Sequence, residues 1–174
     1  LFLDESGFML QPTVRRTWAP RGHTPIHLSW DRHDRLSVIS AISISSQRRR
    51  LGLYFDIRDH NIQTDEFETF VAATVRRLRR PITLVMDRLS VHRAGAKRLQ
   101  ARFGDSVQIE WLPAYAPELN PAEQVWKHTK FDDMPNFIPK DIYDLGHEIS
   151  QSMRHTRSSQ PLLKSFFEFA QLPL

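Results

Sequence analysis

From Pro81 to Pro121 the chain alternates strand and helix, each segment closed by its own breaker, and few architectures accommodate that order. Ile82 to Met86 is an apolar run of strand length, and Arg93 to Phe103 has helical character and stops at Gly104. Val107 to Leu112 is a second strand, and Asn120 with Pro121 opens another helix as N-cap and first helical residue. Strands separated by a helix cross over right-handed into one sheet, so this stretch predicts an α/β fold with a parallel part.

The upstream half has a different period. Leu36, Val38, Ile42 and Ile44 alternate onto one face while Ile39 and Ala41 cover the other, which predicts a strand buried on both sides. After the polar turn Ser45 to Arg50, Leu51, Leu53, Phe55 and Ile57 alternate again, so the simplest connection is an antiparallel hairpin. Thr64 reads as the N-cap of a helix bearing Phe67, Phe70, Val71, Thr74 and Leu78, closed by four arginines and Pro81. Leu1 to Leu3 reads as the tail of a strand ending at Asp4, and residues 8–30 read as an irregular or hairpin-like insertion. A single domain over 1–174 is expected, with a core over 1–130 and a C-terminal helical tail over 131–174 packed on one sheet face.

Cysteine is absent, which excludes disulfides and thiolate metal sites. No apolar run approaches the roughly 20 residues of a membrane span, and no membrane role is expected. Lysine and arginine exceed aspartate and glutamate by 24 − 20 = 4, which favours a polyanionic partner. Basic clusters at Arg48 to Arg50, at Arg76, Arg77, Arg79 and Arg80, and around Arg93, Lys97, Arg98 and Arg102 are expected to flank a carboxylate site. Taken singly, each also reads as solvated surface.

Asp4 and Asp87 each follow an apolar strand, and Glu123 lies in the first turn of a helix after the third such strand. Strand ends of open α/β sheets are where sites assemble. Three carboxylates gathered without cations would repel one another, and a metal resolves that conflict. Hard oxygen ligands favour two Mg²⁺ or Mn²⁺ ions, which roughly 4 Å apart activate an attacking oxygen and stabilise a leaving one in phosphoryl transfer. Each carboxylate also has a purely structural explanation. Asp4 and Asp87 suit turns, and Glu123 suits a capping box with Asn120.

Four segments carry a resemblance. They are Leu3-Asp4-Glu5-Ser6-Gly7-Phe8, Trp18-Ala19-Pro20-Arg21-Gly22-His23-Thr24-Pro25, Val85-Met86-Asp87 with His92, and the string from Leu112 to Trp126 containing Tyr115, Pro117, Leu119, Asn120, Pro121 and Glu123. Together they resemble the DDE transposases of bacterial insertion sequences in the mariner-like superfamily, and the interval 123 − 87 = 36 positions fits that family. The resemblance implies an RNase H-like α/β fold, a mixed five-stranded sheet of three antiparallel then two parallel strands flanked by helices. It places Asp4 on the first strand, Asp87 on the fourth and Glu123 on a helix as catalytic metal ligands. It further implies Mg²⁺-dependent cleavage of double-stranded DNA at transposon ends, followed by attack of the freed 3′-hydroxyl on target DNA. A homodimer acting in the bacterial cytoplasm at the nucleoid is expected.

Arg88 stands where that family often has asparagine, so a permanent cation sits beside the expected metal site. Such transposases generally carry N-terminal helix-turn-helix modules, and none is expected within residues 1–174, so a missing N-terminal part or a separate chain would supply them. An inactive DNA-binding or dimerisation remnant, or a nuclease that hydrolyses without joining, are the alternative readings. Arg88, His92, Arg93, Lys97 and Lys127 are candidate DNA contacts, His92 reading equally as a helix-start histidine bonded to backbone. Trp18, Trp111 and Trp126 are expected in the core rather than as base-stacking platforms. The spacing of His23, His27 and His33 matches no established zinc pattern.

Overall fold

The computed structural model describes residues 1–26, 28, 34–172 and 174. Its five strands are β1 (Phe2–Met9), β2 (Arg35–Ile44), β3 (Leu51–Arg58), β4 (Ile82–Met86) and β5 (Val107–Trp111). They form one sheet in the order β3-β2-β1-β4-β5. The β1–β2 and β2–β3 pairs are antiparallel, while β1–β4 and β4–β5 are parallel. The helices are α1 (Thr64–Leu78), α2 (Ser90–Phe103), α3 (Pro121–His128), α4 (Ile142–Ser158) and α5 (Gln160–Phe169). No described helix is long and apolar enough to cross a membrane.

The alternation in β2 divides the interior into two layers. Leu36, Val38 and Ile42 join Phe8, Leu53, Trp126, Ile149 and Phe167 beneath α3, α4 and α5. Ile39 and Ala41 join Leu3, Phe67, Leu84, Met86 and Leu99 beneath α1 and α2. The C-terminal helices α4 and α5 pack on the β2 and β3 side of one sheet face. Each fully buried side chain of this kind contributes about 1.5–3 kcal/mol, and burying both faces fastens the sheet from two sides.

Two local expectations need correction. Asp4 does not end a strand, because β1 continues to Met9 and pairs with β2 throughout, Asp4 opposite Ser40. The irregular segment therefore begins after β1, and its described residues 11–26 carry no strand or helix. The N-cap of α1 is Gln63 rather than Thr64. Gln63 and Glu66 form a reciprocal capping box, so two helix-start N–H groups are satisfied where Thr64 would satisfy one. Arg79 then closes α1 in the left-handed conformation before Pro81.

β1 and β4 are in register only at Phe2 and Val85. Beyond that pair the strands splay, and the Leu3 carbonyl turns to Asn120, whose side-chain amide donates to it at 3.1 Å. The opening between these two strands is where the chain order reverses across the sheet, which is where α/β sheets build sites.

Candidate active site at the splay of β1 and β4

Asp4 and Glu5 are successive residues of β1 and point to opposite faces. On one face the indole N–H of Trp126 on α3 donates to Asp4 Oδ2 at 2.8 Å. On the other, His92 on α2 is fully buried and lies between two carboxylates: Nδ1 is 2.5 Å from Asp87 Oδ1 and Nε2 is 3.3 Å from Glu5 Oε1. Asp87 Oδ1 also accepts the Leu89 N–H at 3.1 Å, in the turn that leads from β4 into α2. Each aspartate thus has a ring N–H or ring nitrogen supplied by a different helix layer.

The string around α3 explains how a helix comes to address β1. Asn120 is 3% exposed and its side chain works in both directions, accepting from Ala122 N–H at 3.1 Å as N-cap and donating to Leu3. The Asn120 N–H is itself taken by the Pro117 carbonyl at 3.0 Å. That removes the donor a capping box would need, so Glu123 is not engaged in one and the capping explanation of that residue fails. Glu123 and Trp126 are one turn apart on α3 and face β1 together. A π-helical turn over Thr129–Asp133 then returns Lys130 to the strand, where its ammonium donates to Ser6 Oγ at 2.7 Å and lies 4.9 Å from the Phe8 ring.

The electrostatics are those of a site under charge conflict. Burial, then repulsion from Glu123, push the Asp4 carboxyl up to about 7 against the stabilising Trp126 bond. Burial also opposes ionisation of Asp87, but the His92 contact and the Leu89 N–H outweigh it and hold that carboxyl below its ordinary value. For His92, desolvation is outweighed by Asp87 and Glu5, which raise it to about 9, so the ring is a buried cation at neutral pH. Burial lowers Lys130, opposed by attraction to Glu123 and Asp4.

The expected metal ligands can be weighed on this geometry. Their donors are all carboxylate oxygens, suited to a hard divalent cation, and the buried Asp4–Glu123 repulsion is a conflict that positive charge relieves. Among the described residues no three carboxylate or histidine groups converge closely enough to hold an ion as they stand. Asp87 is drawn toward His92 and Asp4 toward Trp126. The donor set therefore fits a divalent ion in chemistry.

Other sequence-predicted residues fall into distinct places. Arg88, Arg93 and Lys97 are exposed, the first beside Asp87 and the others on α2. Lys127 is exposed on α3 and lies over the Phe169 ring at 5.1 Å. Arg98 and Arg102 pair with acids of α1, Arg98 with Asp65 and Arg102 with Glu68 at 3.2 Å, so they serve a helix–helix contact. The clusters at Arg48 to Arg50 and at Arg77 and Arg80 do not flank the carboxylates. They line a groove of about 1130 Å³ at the start of β4, the opposite end from Asp87, because the β2–β3 turn and the C-terminus of α1 both lie there. Trp18 is 100% exposed, contrary to the expected core position. Trp111 is half-buried, and Trp126 is in the core but also bonds Asp4. His23 is exposed, and His27 and His33 lie outside the described residues. Glu5, Asn120, Trp126 and Lys130 carry contacts that sequence spacing does not disclose.

Comparison with known proteins bears on the family and the fold. A family model described as DDE superfamily endonuclease matches residues 1–137. No curated protein sequence matches the chain. Among solved structures, the Mos1 mariner paired end complex with Mn has a TM-score of 0.67 at 10% identity, covering 97% of this chain and 50% of that one. A pre-cleavage Mos1 transpososome gives 0.62 at 9% identity, with 97% and 54% covered, and the Mos1 strand transfer complex gives 0.60 at 10%, with 97% and 52%. The chain thus spans about half the length of those transposase chains, and the fold it shares with them is RNase H-like. With the family match running from β1 through α3, this protein belongs to the DDE superfamily endonucleases.

Proposed function

We propose that this domain cleaves phosphodiester bonds of double-stranded DNA at transposon ends and joins the resulting 3′-hydroxyl to target DNA. Asp4, Asp87 and Glu123 would hold two divalent ions, Mg²⁺ or Mn²⁺. The observation that carries this reading is the half-buried Asp4 carboxyl, set in repulsion with Glu123 at the opening where β1 and β4 splay beside Asp87. Like charges gathered at such an opening are a conflict that a bound cation relieves. Bound there, divalent ions would supply activation of the attacking oxygen and charge stabilisation of the leaving one.

The protein's own groups have separable tasks in this scheme. His92, buried between Asp87 and Glu5, sets the orientation of Asp87 and couples it to β1. Asn120 holds the start of α3 against Leu3 and so fixes how far Glu123 stands from Asp4. Lys130, beside Asp4 and Glu123, offers a point charge to a phosphate oxygen, and Arg88, Arg93, Lys97 and Lys127 offer exposed cations for the DNA backbone. A homodimer would bring two ends together in the bacterial cytoplasm.

The test is nicking of supercoiled DNA with millimolar Mn²⁺, in wild type and Asp87→Asn, together with joining of a pre-cleaved 3′-hydroxyl end. Metal-dependent nicking and joining, both lost in Asp87→Asn, support the proposal. Nicking without joining means a hydrolytic nuclease. DNA binding without either means an inactive remnant, the reading that Arg88 beside Asp87 favours.

A further inference from the structure

The indole of Trp126 touches a residue that core packing did not require it to touch. A buried indole needs an acceptor, which a backbone carbonyl or hydroxyl could supply as well as a carboxylate. Here the acceptor is Asp4 Oδ2 at 2.8 Å. The ring cannot readily turn away, since Trp126 is 4% exposed and packs edge-to-face on Phe8 at 6.2 Å and 75°. Its helix is anchored on both sides of the contact, by Asn120 on Leu3 and by Lys130 on Ser6. α3 with its N-cap and the π-helical turn that follows it thus meets β1 at Leu3, Asp4 and Ser6 through three side chains, with the indole in the middle.

We propose that Trp126 is a positioning residue that commits one oxygen of Asp4 and leaves the other as a single-point ligand, thereby biasing the site toward a small octahedral cation and against Ca²⁺. This rests on the metal site proposed above. Mg²⁺ and Mn²⁺ accept carboxylates through one oxygen in near-octahedral shells, whereas Ca²⁺ takes 6–8 oxygens and readily uses both oxygens of one carboxylate. An N–H held against Oδ2 competes with that two-oxygen mode. The i, i+3 interval between Glu123 and Trp126 acquires a reason of its own, because one helical turn supplies a carboxylate and the donor that orients its partner.

The experiment uses the 174-residue chain carrying Trp126→Phe and, separately, a benzothienyl analogue of tryptophan at position 126, which keeps the bicyclic shape and lacks the N–H. Mn²⁺ affinity is read from the electron paramagnetic resonance of free Mn²⁺, and Ca²⁺ affinity by calorimetry. The preference for Mn²⁺ over Ca²⁺ is expected to fall by about tenfold in both variants, the lower end of the effect of removing outer partners of metal ligands. Should Trp126→Phe fail to fold, the analogue alone decides. An analogue with the wild-type Mn²⁺ to Ca²⁺ ratio, even if both affinities drop together, overturns the role of Trp126 and leaves the metal site standing. A wild type that binds neither ion removes the metal site and this role with it.

Discussion

Replacing Asp4 by asparagine is expected to stabilise the metal-free domain, and the effect can be worked from the electrostatics. Burial and Glu123 raise the Asp4 carboxyl from 3.8 to about 7. Below pH 3.8 the residue is neutral folded and unfolded, and it contributes nothing. Between 3.8 and 7 the unfolded chain has released the proton that the folded chain retains, so stability declines as pH rises; above 7 the penalty is constant. At 1.36 kcal/mol per pH unit the full penalty is about 4 kcal/mol. Asparagine has the same shape and no charge, and its carbonyl oxygen can still accept the Trp126 N–H. Urea denaturation in EDTA should find Asp4→Asn more stable than wild type by about 2–4 kcal/mol at pH 8 and by little at pH 4. Adding Mn²⁺ at pH 8 should raise wild-type stability and leave the variant unmoved, since bound ligand stabilises only the state that binds it. A gap that is absent at pH 8, or is the same at pH 4, would refute the claim that Asp4 sits in an uncompensated field.

Other consequences are equally direct. Because His92 is raised from 6.5 to about 9, its contribution is complete below 6.5 and is lost as pH rises through 9. Wild type should therefore lose about 3 kcal/mol across that window, and His92→Gln should flatten the alkaline limb of a pH–stability profile. Asn120→Ala removes an N-cap and leaves the Leu3 carbonyl without its partner, so a loss of about 2–4 kcal/mol is expected in thermal or urea unfolding. Asn120→Ser keeps a cap acceptor without adding charge and loses the amide donor to Leu3, so it should recover roughly the 1 kcal/mol of the cap. Equal losses in the two variants would show that the Leu3 contact dominates.

Much of the fold was legible because it depends on periodicity. The period-two pattern of Leu36, Val38 and Ile42 against Ile39 and Ala41 assigned both faces of β2, and the structure divides its two cores along that same line. Asp87 was legible because a carboxylate directly after an apolar strand has few places to go. Glu123 was ambiguous in sequence because a capping box and a free carboxylate require the same spacing. Only the Pro117 carbonyl, bonded to the Asn120 N–H, separates them. Trp18 was misplaced because aromatic type indicates burial only where an element exists to bury it, and no strand or helix forms over residues 11–26.

The sequence by itself determined the strand and helix order, the absence of thiolate chemistry and the three carboxylates proposed as metal ligands, since all of these follow from local pattern and residue type. Tertiary structure decided their surroundings. Trp126 and Asp4 are 122 positions apart, His92 and Glu5 are 87, and Asn120 and Leu3 are 117. Such pairs leave no periodic trace, because they arise only once β1 and β4 splay and a helix is laid over each face. The same geometry carried two arginine clusters to the far end of the sheet, where charge counting along the chain could not have put them. The carboxylates were readable as letters; their mutual repulsion and their bonds to Trp126 and His92 exist only in the folded protein, where burial strengthens both.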